Sequence, residues 1–147
     1  MAISHGDHPL TRIERPPICN PGTQSETTTM NTATTTSPVS STEEVFKRHL
    51  QAFAEGLDAL VSDYTDESCI LLADRRISGV PAIRKFFADF LQSIQPGFWE
   101  AFKVERNEVQ GEVAYLVWSA KPFVPLATDT LHVKNGKILV QTFTVLA

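Results

Sequence analysis

The chain has 147 residues, a net charge of -4 and an apolar fraction of 42%, which suit one domain with a real core. A mildly acidic chain without a basic block is a poor candidate for binding nucleic acid, because phosphate contacts supply most of that affinity. No apolar run approaches the roughly 20 residues that cross a bilayer, so no membrane association is expected. The two cysteines, Cys19 and Cys69, are too few for a disulfide framework and favour reduced thiols in a cytoplasmic protein.

The first 40 residues differ in composition from the rest. Residues 27–36 are rich in threonine and almost free of large apolar groups, and five prolines interrupt the segment around them. Such a segment buries too little surface to offset its ordering entropy. We therefore predict a disordered tail over residues 1–40 and a domain over residues 41–147. A second hypothesis is that the native protein begins at Met30, since the chain from there still contains the whole domain.

Two helices are predicted at the start of the domain. Ser41 followed by Glu44 is the pattern of a capping box, which marks a helix N-terminus. The next residues place one apolar stripe along a helix, and Gly56 interrupts it. A second, short helix is expected from Leu57 to about Asp63.

A short strand and a third helix follow. Residues 68–73 are suited to a strand with both faces covered, and residues 74–76 are expected to turn the chain before Gly79. Pro81 then lies in the first turn of a helix, where its missing N–H is not needed. This helix has the clearest period in the sequence, formed by Ile83, Phe86, Phe87, Phe90, Leu91 and Ile94.

The remainder is predicted as four antiparallel strands, over residues 98–109, 113–120, 128–134 and 137–145. Pro122 and Pro125 interrupt the ladder because proline cannot donate to it. Asn135-Gly136 is a strong signal for a type I′ hairpin turn. A sheet of this size twists and curls strongly. The fold class predicted is α+β, with three N-terminal helices packed on a strongly curved antiparallel sheet that forms a cone with a cavity near its mouth.

Three segments carry a resemblance to a known superfamily. Residues 63–68 resemble a Tyr-x-Asp-Asp-Ala motif, residues 79–87 resemble Gly-x-x-x-Ile-Arg-x-Phe-Phe, and residues 135–138 precede the last strand as Asn-Gly-Lys-Ile. Over residues 43–145 the chain resembles the nuclear transport factor 2-like superfamily, which includes steroid delta-isomerases and SnoaL-like polyketide cyclases. The resemblance implies a shared cup-shaped fold that supports unrelated functions. Some members are isomerases, cyclases, dehydratases or hydrolases, and others only bind a partner or ligand.

The resemblance to the steroid isomerases does not extend to their catalytic residues. An aspartate base and an oxyanion hole of tyrosine plus a neutral carboxylic acid are what that chemistry needs. Aligned on the resemblance, these three positions hold Leu72, Arg48 and Leu126. All three roles are vacant, which argues against steroid delta-isomerase activity unless the alignment is shifted by one turn.

Three residues are the catalytic candidates. Asp74 lies two positions past Leu72, so it would share a sheet face with it and could act as a base in an apolar pocket. His132, before the hairpin, and His49, in the apolar stripe of the first helix, are possible acid–base groups. The alternative interpretations are a solvated turn carboxylate for Asp74, a histidine on the outer sheet face for His132, and a core histidine for His49.

The candidate ligand-binding residues come from the sheet region. Tyr115 and Trp118 differ by three positions, so in a regular strand only one of them can line the pocket. No spacing typical of a metal site or a phosphate-binding loop occurs, so no metal and no cofactor are expected. The candidates are Trp99, Tyr115, Trp118, Leu72, Asp129 and Gln141.

Two functions remain open. The first is a SnoaL-like pocket protein for a small apolar or aromatic molecule, acting as a cofactor-independent isomerase, cyclase or dehydratase by acid–base chemistry. The second is a non-catalytic dimeric module for ligand binding or protein association. A homodimer is expected in either case, because relatives in the superfamily are commonly dimers.

Overall fold

The computed structural model describes residues 39–147. The predicted tail, apart from its last two residues, and the hypothesis about Met30 lie outside the described residues. Within residues 39–147, no helix is long and apolar enough to span a membrane. These residues form four helices and six strands. The helices are α1 (Thr42–Glu55), α2 (Leu57–Val61), α3 (Val80–Ser93) and α4 (Phe98–Ala101); the strands are β1 (Cys69–Leu71), β2 (Arg76–Ser78), β3 (Phe102–Gln110), β4 (Val113–Ala120), β5 (Val124–Lys134) and β6 (Lys137–Leu146).

The predicted capping box at the start of α1 is confirmed. The Glu44 N–H donates to the Ser41 hydroxyl, and the Ser41 N–H donates to the Glu44 carboxylate at 2.7 Å. These bonds satisfy two of the backbone donors that a helix leaves free at its N-terminus. The apolar stripe of the helix then faces the interior, with Val45, Phe46, His49 and Ala52 buried.

The six strands form one sheet in the order β2-β1-β6-β5-β4-β3. All neighbours are antiparallel except β1 and β6, which run parallel. The sheet curls without closing, as predicted for this fold, and the helices lie against its inner face. Side chains alternate between the two faces with a period of two. The inner face therefore receives Ala114, Leu116 and Trp118 from β4 and Ala127 and Leu131 from β5, all buried in the core.

The hairpin between β5 and β6 is confirmed at Asn135-Gly136. Both residues have positive φ, 51° and 73°, as a type I′ turn requires. Lys134 pairs with Lys137 across the turn. The hairpin sets the register of the two longest strands, which carry two of the polar residues described below.

The largest differences from the predicted elements lie at three places. Arg76–Ser78 forms a short strand paired with β1, where a turn was expected, because the Leu72 N–H donates to the Arg75 carbonyl and closes a tight hairpin. Phe98–Ala101 is a helical turn rather than the start of a strand, since Gly97 adopts φ 87°, a left-handed conformation that redirects the chain. The third of the four predicted antiparallel strands begins at Val124 instead of residue 128.

The earlier start of β5 is compatible with Pro125 because the ladder is irregular there. Ala120 pairs with Val124, whereas Trp118 pairs with Ala127, so two residues of β5 lie opposite Ser119. Pro125 falls in this bulge, where no ladder bond is needed from its nitrogen. The bulge keeps Ala127 and the residues after it in register with the inner face.

Candidate functional site

A cavity of about 410 Å³ lies between the helices and the inner face of the sheet. Helices α1, α3 and α4 and strands β3 to β6 all contribute to its wall. Ten of its 17 lining residues are phenylalanine or tryptophan. The full lining consists of Phe46, His49, Leu50, Phe53, Ala54, Phe86, Phe87, Phe90, Phe98, Trp99, Phe102, Leu116, Trp118, Asp129, Leu131, Gln141 and Phe143.

Asp129 is the carboxylate of this cavity. Its Oδ2 accepts a hydrogen bond from the Trp118 indole N–H at 2.7 Å, and its Oδ1 accepts one from the Gln141 amide at 2.8 Å. Burial raises the pKa of Asp129, and the two hydrogen bonds together with the nearby His49 lower it by less, so the pKa stays above its ordinary value. A carboxyl group with a raised pKa is a stronger base than an ordinary aspartate, which suits it to acid–base chemistry.

The orientation of Gln141 is set from behind the cavity. The Tyr64 hydroxyl, itself buried, donates to the Gln141 Oε1 in a short hydrogen bond. With the amide oxygen occupied in this way, the amide N–H groups point towards Asp129. Tyr64 thus fixes Gln141 as a donor. Burial, followed by the charges of Asp129 and Asp63, raises the pKa of Tyr64 well above its ordinary value, so the hydroxyl keeps its proton.

A second carboxylate lies at the other end of this hydrogen-bonded network of buried side chains. Asp63 is fully buried, and accepts from Arg48 Nε at 2.7 Å and lies 3.1 Å from His49 Nδ1. Burial alone would raise the pKa of Asp63, but the bonds and charges of His49 and Arg48 outweigh it and hold the pKa below its ordinary value. The other ring nitrogen of His49 lies 3.4 Å from the Tyr64 hydroxyl. The chain of contacts therefore runs from Arg48 through Asp63, His49, Tyr64 and Gln141 to Asp129.

Five of the predicted site residues line the cavity: His49, Trp99, Trp118, Asp129 and Gln141. Three of them, Trp118, Asp129 and Gln141, are joined directly by hydrogen bonds. The alternation along β4 and β6 brings this about, because Trp118 and Gln141 both point to the inner face on strands that flank β5. His49 reaches the cavity wall from α1, but both of its ring nitrogens face protein partners.

Four predicted site residues lie elsewhere. Asp74 has a side chain 68% exposed and pairs with Arg75, because β1 already ends at Leu71 and the shared-face argument no longer applies. His132 faces Glu112 at 3.2 Å on the outer side of the sheet, three positions from Asp129 and therefore on the opposite face. Tyr115 also lies on the outer face, under the guanidinium of Arg106. Leu72 packs against the core without lining the cavity.

The positions taken from the steroid isomerase alignment are not in the cavity either. Arg48 points away from it, towards Asp63 and the Gly136 carbonyl. Helix α1 instead presents Phe46, His49, Leu50 and Phe53 to the cavity. On β5, Asp129 and Leu131 reach the cavity, whereas Leu126 does not. A carboxyl group therefore occupies the inner face three residues beyond the aligned position.

Sequence reasoning missed Asp63 and Tyr64 as site residues. Both belong to residues 63–68, which resemble the Tyr-x-Asp-Asp-Ala motif, but nothing in their spacing indicates that Tyr64 lies against Gln141, 77 residues away. One available signal was the set of residues that share a strand face with each candidate. Asp129 shares its face with the apolar Ala127 and Leu131, whereas His132 shares its face with Thr128 and Thr130. Among residues 39–147, no group of three or more His, Cys, Asp or Glu side chains is arranged to hold a metal ion.

The chain was compared with known proteins. No protein-family model matches the sequence, and no curated protein matches it. Solved structures do match. An NTF2-like protein of unknown function from Mesorhizobium loti is 23% identical with a TM-score of 0.59, over 72% of this chain and 91% of that one. A SnoaL-like protein of unknown function from Burkholderia thailandensis is 13% identical with a TM-score of 0.60, over 72% and 95%.

A further NTF2-like protein of unknown function, from Burkholderia xenovorans, is 21% identical with a TM-score of 0.57, over 71% of this chain and 81% of that one. The domain has the NTF2-like fold. The predicted resemblance is thereby confirmed at the level of the fold, and the cavity lies within this NTF2-like domain. Function has to be argued from the site, because identities this low carry the fold alone.

Proposed function

We propose that this protein binds a small molecule with an apolar or aromatic body in the aromatic-lined cavity, and that Asp129 exchanges a proton with it. The reaction class is a cofactor-independent isomerisation, cyclisation or dehydration, each of which needs a positioned acid–base group. The observation that carries the proposal is Asp129 itself: a carboxyl group with a raised pKa, held by two donors, in a cavity whose wall is mostly aromatic.

The neighbours of Asp129 have positioning roles in this proposal. Trp118 and Gln141 each donate one hydrogen bond, which fixes the carboxyl plane and leaves the remaining lone pairs for the bound molecule. His49 and Tyr64 act through Gln141 rather than on the ligand, because their polar atoms face protein partners. Asp74 and His132 have no part in it, since both lie outside the cavity.

Proton exchange at the carbon next to a ketone tests the proposal without knowledge of the natural substrate. The probe is 2-tetralone, a neutral aromatic ketone, dissolved with the protein in D₂O. The Asp129 carboxylate takes a proton from the carbon next to the carbonyl, the C–H electron pair moves into the enolate, and Asp129 returns a deuteron from solvent. Proton NMR follows the loss of the C–H signal.

We expect exchange faster than in buffer, and a fall of about 10²- to 10⁴-fold in the protein-dependent rate for Asp129→Asn, the range a general base contributes. The matched control is Asp58→Asn, which removes a carboxylate whose side chain is 91% exposed. Exchange at the buffer rate with saturating 2-tetralone, or equal rates for the wild type and Asp129→Asn, would contradict the proposal.

A further inference from the structure

The described residues that line the cavity include one acidic residue, Asp129, and no lysine or arginine. His49 is the one other ionisable group on the wall, and Asp63 and Tyr64 occupy its two nitrogens from behind. An anionic ligand would meet the like charge of Asp129 without any basic residue to receive it.

Both hydrogen-bonding neighbours of Asp129 act as donors. The Trp118 indole nitrogen can only donate, and Gln141 is held as a donor because its amide oxygen accepts from Tyr64. One donor is directed to each carboxyl oxygen, an arrangement that favours the carboxylate form over the acid. The cavity therefore holds a carboxyl group whose direct partners are neutral donors, while the other ionisable residue on the wall, His49, directs both ring nitrogens to Asp63 and Tyr64.

The rest of the wall is suited to the opposite charge. Aromatic rings attract cations through the negative potential of their faces, and this attraction is stronger where water is excluded. Phe53, Phe98 and Trp99 come from the helices, while Trp118 and Phe143 come from the sheet beside Asp129. Trp118 and Phe143 are nearly parallel, with ring centroids 6.2 Å apart.

We propose that the ligand is an organic cation: an apolar or aromatic body that carries one ammonium group, placed against Asp129 and among the rings. The inference rests on the proposed function, since it concerns the same cavity, and it names the class of molecule that this cavity takes. A volume of about 410 Å³ is within the range of small-molecule sites. The cation supplies the positively charged partner that Asp129 lacks, and the aromatic rings replace part of the water that surrounds the cation in solution.

A pair of probes of equal shape isolates the charge. Benzyltrimethylammonium carries a permanent positive charge and no ammonium proton, so its binding does not depend on its own titration. Neopentylbenzene has the same shape with carbon in place of nitrogen and is neutral. Both tryptophans of the chain, Trp99 and Trp118, line the cavity, so quenching of tryptophan fluorescence reports its occupation directly.

We expect the cation to bind at least about tenfold more tightly than the neutral probe at neutral pH, as a cation among desolvated rings beside a carboxylate should. Asp129→Asn should remove this preference and leave the affinity for neopentylbenzene unchanged within about twofold, because the side chain keeps its shape. Asp58→Asn should keep the preference, since its carboxylate is remote and exposed.

The outcomes separate this inference from the proposed function. Equal affinities for the two probes, or a cation preference that survives in Asp129→Asn, would overturn the organic cation while leaving a small-molecule cavity in place. Binding of neither probe by a folded protein, checked by circular dichroism, would overturn both. A cation preference lost specifically in Asp129→Asn supports the cation, and the exchange of 2-tetralone then decides the acid–base chemistry independently.

Discussion

Replacing Tyr64 with Phe removes one oxygen atom from the centre of the polar network. The ring is 4% exposed and packs against His49 and Phe87, so its position is retained in the variant. The hydroxyl donates to Gln141 and also lies 3.4 Å from His49, a distance at which the bond is weak. Gln141 and His49 are 4% and 3% exposed, so water has little access to the atoms left behind.

The expected cost follows from that geometry. Leaving one buried polar group without its partner costs about 1–3 kcal/mol in the free energy of unfolding. For a domain of this size each kcal/mol lowers the melting temperature by roughly 4–8 °C, so a fall of about 12 °C is expected at the middle of the range. Urea unfolding followed by tryptophan fluorescence measures the free energy, and an unchanged m-value shows that the two-state treatment holds.

The chain supplies a matched control in its other tyrosine. Tyr115 lies on the outer face of the sheet, and its hydroxyl has no hydrogen-bond partner among residues 39–147. Tyr115→Phe removes the same atom and should change stability by less than about 0.5 kcal/mol. If Tyr64→Phe were as stable as the wild type, or if both variants lost the same amount of stability, the Tyr64 hydroxyl would not stabilise the fold through its hydrogen bonds.

Two further predictions concern pH. The pKa of Asp63 is lowered in the folded state, so its contribution to stability is present above the ordinary aspartate pKa and is lost as pH falls through the lowered value. Asp63→Asn should therefore lower the free energy of unfolding by about 1–3 kcal/mol at neutral pH. The variant should also lose less stability than the wild type on acidification, as measured by urea unfolding across the acid range. The pKa of Asp129 is raised, so the wild type loses stability as pH rises from the ordinary aspartate pKa through the raised one. The stability of Asp129→Asn relative to the wild type should therefore increase over that pH range. A constant difference in stability between the two proteins in the same titration would contradict a raised pKa for Asp129.

Much of the fold could be predicted from local sequence. The capping box at Ser41 and Glu44 and the turn at Asn135-Gly136 depend on residues within a few positions of one another, and both are confirmed. The elements that were missed depend on distant contacts or on backbone geometry. Arg76–Ser78 is a strand because it pairs with β1, and the turn after Gly97 is helical because that glycine adopts a positive φ.

The site could be predicted only in part, because its face assignments depend on register. The alternation along β5 shows that Asp129 and His132 cannot both point inward, and the apolar Ala127 and Leu131 on the face of Asp129 favour Asp129. The choice is fixed by the bulge at Ser119 and Pro125 and by pairing with the flanking strands. Asp74 was misplaced for a related reason, since the strand before it ends at Leu71, two residues before its predicted end. The homodimer stays a prediction.

The two buried carboxylates show what the network does for the cavity. Asp63 has Arg48 and His49 beside it, and its pKa is lowered accordingly. Asp129 has only neutral donors in direct contact, and its pKa is raised. A protein selected for stability alone would gain by replacing such a carboxylate with an apolar residue of similar size. Instead, the chain uses Trp118, Gln141 and, through Gln141, Tyr64 to hold it. That arrangement is explained if the missing positive charge or proton comes from the bound molecule.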